Sequence, residues 1–284
     1  MNEYTHFYGF SENPFKVNPD SRFFVLSESN REALASIIYG IRERKGFILV
    51  SGEAGIGKTS LIQYLSKNLE GKMPTVVIDQ SDIPIEQLLT KIFLQLGLAP
   101  NSQRKASLIN QLNGYLVEKF ILDENLAILI DEAHNLNKDT IEELRLLSNF
   151  ETRRSKPFQI VLVGRPEIER KLNSKDLRSF RQRIVIWSKI TRLTEEESKQ
   201  YIDHHLWLVG SRSSAVFTPE AISLICRQAK GIPRSINFIC DKAFWVGYQR
   251  SRKKSIHRLF EKPLAGHMGR EKGSLVLGLS GRDW

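Results

Sequence analysis

The sequence predicts an α/β fold: a three-layer sandwich on parallel strands, followed by a smaller, purely helical unit. Three observations carry this. Short apolar, β-branched runs alternate with segments of helical apolar spacing up to about residue 190. A glycine-rich stretch, GEAGIGKT from Gly52 to Thr59, lies between one such run and one such helix. From Thr194 onward only helical spacing remains.

Taken in order, residues 1 to 30 are rich in aromatics, with prolines at 14 and 19. Proline disfavours helix, so an irregular arm is expected, packed against a nucleotide base, against the flank of the α/β unit, or simply into a core. Residues 30 to 44 read as an amphipathic helix through Leu34, Ile37, Ile38 and Ile41. Phe47 to Ser51 reads as a buried parallel strand. A helix is expected after Thr59, a second strand over 74–79, and helices over 84–97 and up to about Phe120. Leu126 to Ile130 is the third strand. Asn137 is placed to cap a helix running from Lys138 to Arg153. Phe158 to Val163 and Ile184 to Trp187 complete five strands. Thr194 to Glu197 forms a capping box, Thr218 and Pro219 open a further helix, and Ser235 to Tyr248 forms the last. The expected division is 1–190 for the α/β domain with its aromatic arm, 191–260 for the helical lid, and 261–284 for a disordered, glycine-rich tail.

Composition sets further bounds. The chain has 284 residues, 41% of them hydrophobic and 26% charged, as in ordinary soluble proteins. It has no apolar run long enough to span a bilayer and does not open with a secretory signal. Cys226 and Cys240 lie in helical segments and read as buried thiols rather than a disulfide or metal pair. A cytoplasmic setting follows as the expectation. A net charge of +10 suggests an acidic partner, either double-stranded DNA or an anionic inner-membrane surface. Generic basicity is the plainer alternative.

GEAGIGKT matches the phosphate-binding P-loop G-x-x-x-x-G-K-[ST] in the strand–loop–helix context that the chemistry needs. The backbone N–H groups of Gly52, Glu53, Ala54, Gly55, Ile56 and Gly57 would form an anion nest. Lys58, Thr59 and Ser60 would open a helix whose positive end faces the phosphates. Lys58 would reach the β- and γ-phosphates of ATP, and Thr59 would ligate Mg²⁺. Asp131 and Glu132 follow the third strand as a Walker B pair. Asp131 would face the same Mg²⁺, and Glu132 would orient the attacking water. Acids after strands also serve as helix caps, but these two lie roughly 70 residues past a P-loop, which favours the nucleotide reading. His134 completes a DEAH string and reads as a supporting or packing residue. Arg165, after the fourth strand, has the reach to approach the γ-phosphate. Arg178, Arg181 and Arg183 form a basic stretch suited to a neighbour's γ-phosphate, to nucleic acid backbone, or to plain solvation. Arg234 opens the last helix. The basic cluster Arg250, Arg252, Lys253, Lys254 and Arg258 is a second candidate nucleic-acid surface.

With the P-loop, LAILIDEAH, VGRPE, LRSFRQRI and GIPRSIN, the chain resembles an AAA+ ATPase. FYGFSENPF, PDSRFFVLSESNREALASIIYGI, IEELRLLSNFET and GIPRSINFICDKA make it similar to the ExeA/GspA type linked to general secretion, with the TniB-like transposition ATPases as relatives. The resemblance spans about residues 4 to 250. It implies a five-stranded parallel sheet with the P-loop strand central, a helical lid, and a homo-oligomeric ring or filament. It makes Arg234 a sensor 2 residue and Arg181 or Arg183 the trans arginine finger, whereas Arg165 stands where relatives commonly carry Gln at sensor 1. ExeA-type relatives continue into a membrane helix and a peptidoglycan-binding domain, which this sequence does not contain. The expected activity is Mg²⁺-dependent ATP hydrolysis coupled to assembly or partner remodelling. It would serve secretion or exopolysaccharide export, peripheral to the inner membrane beside a membrane-associated secretion protein. The alternative is an ATP-switched DNA-binding protein of transposition-regulator type. A helicase is disfavoured because no second motor core is present.

Overall fold

The computed structural model describes residues 3–147 and 158–251, apart from 17 and 19. In chain order it runs α1 (Glu3–Tyr8), α2 (Glu28–Arg42), β1 (Phe47–Gly52), α3 (Lys58–Leu69), β2 (Thr75–Ile78), α4 (Ile85–Gln95), α5 (Lys105–Ile121) and β3 (Leu126–Ile130). There follow α6 (Lys138–Leu147), β4 (Phe158–Gly164), α7 (Glu167–Leu172), α8 (Arg178–Arg181), β5 (Ile184–Ile190), α9 (Glu195–Leu208), α10 (Ser213–Val216), α11 (Pro219–Ala229) and α12 (Pro233–Gln249). The far end of the helix expected to reach Arg153, the basic cluster beyond Ser251 and the 261–284 tail lie outside the described residues.

The sheet is parallel with strand order β2-β3-β4-β1-β5. The P-loop strand β1 therefore lies next to the edge strand, not at the centre as expected; β4 takes the centre. The burial follows this order. β1, β3 and β4 are buried at every residue, whereas the edge strand β5 alternates buried and exposed. That alternation obscures its end in the sequence, and β5 runs on past Trp187 to Ile190. Side chains of successive residues go to opposite faces. Phe47 and Leu49 join the core beneath α4 to α8, while Ile48 and Val50 join the core beneath α2 and α3.

Local chemistry places the helix starts. Ser27 accepts from the Asn30 N–H to cap α2, and Asn137 accepts from Thr140 at 2.7 Å to cap α6. Thr194 and Glu197 exchange both hydrogen bonds of a capping box at 3.1 and 2.8 Å. Thr218 caps α11 with Pro219 in its first turn.

The N-terminal arm departs from expectation in one respect. It contains regular structure, α1 and a 3₁₀ turn at Ser21–Phe23, because both prolines fall between these elements. Its aromatics take the core-packing alternative, and the core they enter is the lid's. Tyr4, Phe10, Phe15 and Phe23 pack with Phe217, Ile225 and Phe244. Tyr4 donates to Asp241 on α12, and Asn13 Nδ2 donates to the same carboxylate at 3.1 Å. Phe24, the last aromatic, turns back to Tyr64 of α3 with ring centres 4.9 Å apart. The arm thus bridges lid and sheet. Cys226 and Cys240 are buried free thiols on α11 and α12. No helix among the described residues is long and apolar enough to cross a membrane.

Candidate nucleotide site

Ligands of open parallel sheets gather at the strand C-termini, and the predicted site residues other than Arg181 and Arg183 converge there. β1 ends at Gly52, and the loop turns into α3 through Gly55 (φ 76°) and Gly57 (φ 105°). These are left-handed conformations that L side chains rarely adopt. Gly55 also lies where the lid meets the loop. A Cβ there would stand 2.9 Å from Arg234 Cβ, and the Arg234 N–H donates to the Gly55 carbonyl at 3.1 Å. Ile56 anchors the loop in the core. Gly57 precedes the first residue of α3, so the helix N-terminus opens toward the loop.

Lys58 is 5% exposed. Its Nζ donates to the Gly52 and Glu53 carbonyls at 3.0 and 2.9 Å. Burial pushes its pKa down, and the Glu132 and Asp131 carboxylates pull against that. Thr59 Oγ1 donates to Asp131 Oδ2 at 2.6 Å, which joins the P-loop helix to the tip of β3. Asp131 is itself buried, and burial raises its pKa against the Thr59 hydrogen bond. A hydroxyl and a desolvated carboxylate in contact form a donor pair that fits Mg²⁺, which takes few protein ligands and completes its shell with phosphates and water. Accordingly, no cluster of three or more His, Cys, Asp or Glu side chains suited to a metal occurs among the described residues.

Glu132 takes a left-handed backbone (φ 49°, ψ 35°) rare for a residue with a side chain. The surroundings over-determine it. Its N–H donates to Asp131 Oδ1 at 2.8 Å, and its carbonyl accepts from Ser81 Oγ at 2.8 Å. Its Oε2 lies 3.3 Å from His134 Nε2 and 3.8 Å from Arg165 Nε. Burial lowers the His134 pKa and the Arg165 and Lys58 charges add to this, against Glu132. Lys171 Nζ donates to the His134 and Leu136 carbonyls at 2.5 and 2.6 Å, so the loop after β3 is pinned from α7.

A cavity of about 330 Å³ opens above these groups. Ala54, Gly55, Lys58, Thr59 and Ser60 form its floor, and Glu132 and Arg165 line it beside them. Arg234 and Asn237 of α12, Tyr201 and His205 of α9, and Pro14 and Phe15 of the arm also line it. It is therefore walled by loop, lid and arm together. A larger cleft of about 680 Å³, lined by Arg42, Arg44, Lys72 and Asp123, sits where β2 and β3 begin, away from all of these groups.

Arg181 and Arg183 are not brought to this cavity. Ile184, which follows Arg183, pairs with Phe47 at the start of β1. The length of β1 puts about 17 Å between that point and the P-loop. The Arg181 guanidinium instead sits 5.9 Å from the Trp187 ring centre, on a shallow surface shared with Arg178.

Several contributors have no mark in the sequence. His205, Ser81 and Arg192 belong to no motif and meet the site only through the fold, while Asn237, the last residue of GIPRSIN, carries no assigned role in the sequence. Glu53, recognised as a loop residue, reaches out of the loop to Arg192, which precedes the lid.

An AAA domain is matched over residues 41–172. The chain is 33% identical over 255 residues to General secretion pathway protein A of Aeromonas hydrophila, covering 89% of this chain and 46% of that protein. It thus spans just under half the length of that relative. Among solved structures, the Aeropyrum pernix ORC2 protein in ADPNP–ADP complexes aligns at TM-score 0.66 with 18% identity, over 87% of this chain and 70% of that one. Cdc6p of Pyrobaculum aerophilum aligns at 0.65 with 16% identity, over 84% and 68%. The Thermotoga maritima RuvB branch migration motor aligns at 0.54 with 18% identity, over 81% and 66%. At these identities the structural likenesses establish the fold alone.

Proposed function

The chain belongs to the AAA+ ATPases and is of the ExeA/GspA type, and from this we propose that it binds ATP with Mg²⁺ between P-loop and lid and hydrolyses the γ-phosphate. The carrying observation is the 2.6 Å hydrogen bond from Thr59 to Asp131, with Glu132 next in the chain and lining the same cavity. The loop N–H groups and Lys58 hold the phosphates, which in phosphoryl transfer provides most of the catalysis through position and charge. Thr59 and Asp131 hold the Mg²⁺, which neutralises charge on the phosphate oxygens. Glu132 orients the water and accepts its proton. Arg165 approaches the γ-phosphate from the tip of β4, and Arg234 approaches from the lid.

Arg181 and Arg183, at the opposite end of the sheet from their own P-loop, serve a neighbouring subunit in a ring or filament. Hydrolysis then changes the assembly or remodels a partner. The relative named for the general secretion pathway supports a role in secretion, and we place that role in the cytoplasm beside an inner-membrane secretion partner. Turnover per subunit should climb with protein concentration as assembly proceeds. Specific activity that stays flat, with only monomer present, removes the trans arrangement.

A second reading is an ATP-switched DNA-binding protein. The net charge of +10 favours it. Duplex binding that requires ATP and weakens steeply with salt supports this reading, and no binding at low salt excludes it.

A further inference from the structure

The sequence reads His134 as a supporting or packing residue, and in the fold its ring bridges the two chain segments that follow β3 and β4. The Arg165 backbone N–H donates to His134 Nδ1 at 3.3 Å. Nδ1 is thereby an acceptor, and the ring proton sits on Nε2. That Nε2 lies 3.3 Å from Glu132 Oε2. The approach is off-line, so Oε2 is buried without a formed hydrogen bond, and a small rotation completes one. The rest of the Glu132 side chain, 36% exposed, lines the cavity with Lys58 and Thr59. The Lys171 clamp and the Ser81 hydroxyl hold the loop that carries both residues.

We propose that His134 is a positioning residue for Glu132: the neutral imidazole, anchored on the Arg165 N–H, holds Oε2 and turns the other carboxylate oxygen to the attacking water. The role rests on the ATPase reading above. It also ties the tip of β4 to the base, since a shift of Arg165 on meeting a γ-phosphate moves the imidazole with it.

The test uses the full chain and compares wild type, His134→Ala, His134→Gln, Glu132→Gln and the Glu132→Gln/His134→Ala double variant. ATP turnover and ATP binding are measured separately. His134→Ala should lower kcat about tenfold with KM changed less than about twofold, because it touches the base and not the phosphate cradle. His134→Gln, whose amide N–H can replace the Nε2 donor, should recover most of the loss. In the Glu132→Gln background, His134→Ala should add nothing, since residues acting as one unit are not additive. Wild-type turnover in His134→Ala overturns the inference and leaves the ATPase reading standing. So does a loss in kcat and ATP affinity together without rescue by Gln, or a further slowing of Glu132→Gln. A wild-type protein that binds ATP but never turns it over removes the reading and the inference together.

Discussion

The Glu53 carboxylate grips the Arg192 guanidinium at 2.6, 3.0 and 3.1 Å. Glu53 belongs to the phosphate loop, and Arg192 stands between β5 and α9, so the pair straps the loop to the entry of the lid. Both side chains are about half exposed, at 49 and 46%. Such a pair adds little to global stability. Arg192→Ala should therefore leave the unfolding midpoint unchanged while loosening the loop–lid junction. Stopped-flow release of a fluorescent ATP analogue should quicken by up to about fivefold. Release at the wild-type rate would show that the strap has no part in holding the nucleotide.

Asp131 is a buried carboxylate, proposed as a ligand of Mg²⁺, and burial raises its pKa. Asp131→Asn removes that desolvation penalty and still accepts from Thr59. The ligand-free variant should melt no lower than wild type. The additional melting shift produced by Mg²⁺ with ATP, compared with ATP in EDTA, should collapse. A full Mg²⁺-dependent shift in the variant places the ion elsewhere.

Lys58→Ala and Glu132→Gln should fail differently. The first removes a buried ammonium proposed to hold the phosphates, so ATP affinity should fall by tenfold or more, read by isothermal titration calorimetry. The second keeps the shape of the site and loses its base. ATP still binds, and turnover drops by about a hundredfold or more. Normal turnover by Glu132→Gln would assign the base to another residue.

His205 links pH to stability. It is buried on α9 between Phe15 and Tyr201, and its Nδ1 lies 2.7 Å from the Pro14 carbonyl. Burial drives its pKa down to about 4 against an ordinary 6.5. The unfolded chain therefore takes up a proton first as pH falls, and stability drops across the window from 6.5 to about 4. The full loss is about 3 kcal/mol. Urea midpoints should decline from pH 7 to pH 5, and His205→Phe, which keeps the ring stack, should show a shallower decline. Parallel slopes would give the pH dependence to other groups.

Gly231 closes the lid onto its linker. It accepts from the Leu193 N–H at 2.9 Å, and its φ is +71°. A Cβ would sit 2.1 Å from the Leu193 carbonyl oxygen, which is backbone and cannot step aside. Gly231→Ala should cost about 2–4 kcal/mol in urea unfolding. A cost under about 1 kcal/mol would mean that the linker shifts freely.

The sequence by itself determined most of the elements and supplied the groups proposed to react. The P-loop, the Walker B acids, the strands and most of the helix starts are local chemistry: glycine conformations, caps, and apolar periods that any window of a few residues displays. Only the tertiary structure decided what those elements meet. Strand order is not written in any one strand, so β1 sits beside an edge although its sequence looks as buried as a central strand's. The arm aromatics read equally as packing on a base, on the flank of the α/β unit or into a core until Tyr4, Phe15 and Phe23 are seen in the lid core, because an apolar ring carries no address. Arg181 and Arg183 look like site residues by charge, yet the parallel register puts them at the far end of the sheet. His134 and Arg165 acquire their relation to Glu132 because β4 lies beside β3, and a hydrogen bond across two strands depends on distances that spacing along the chain does not contain.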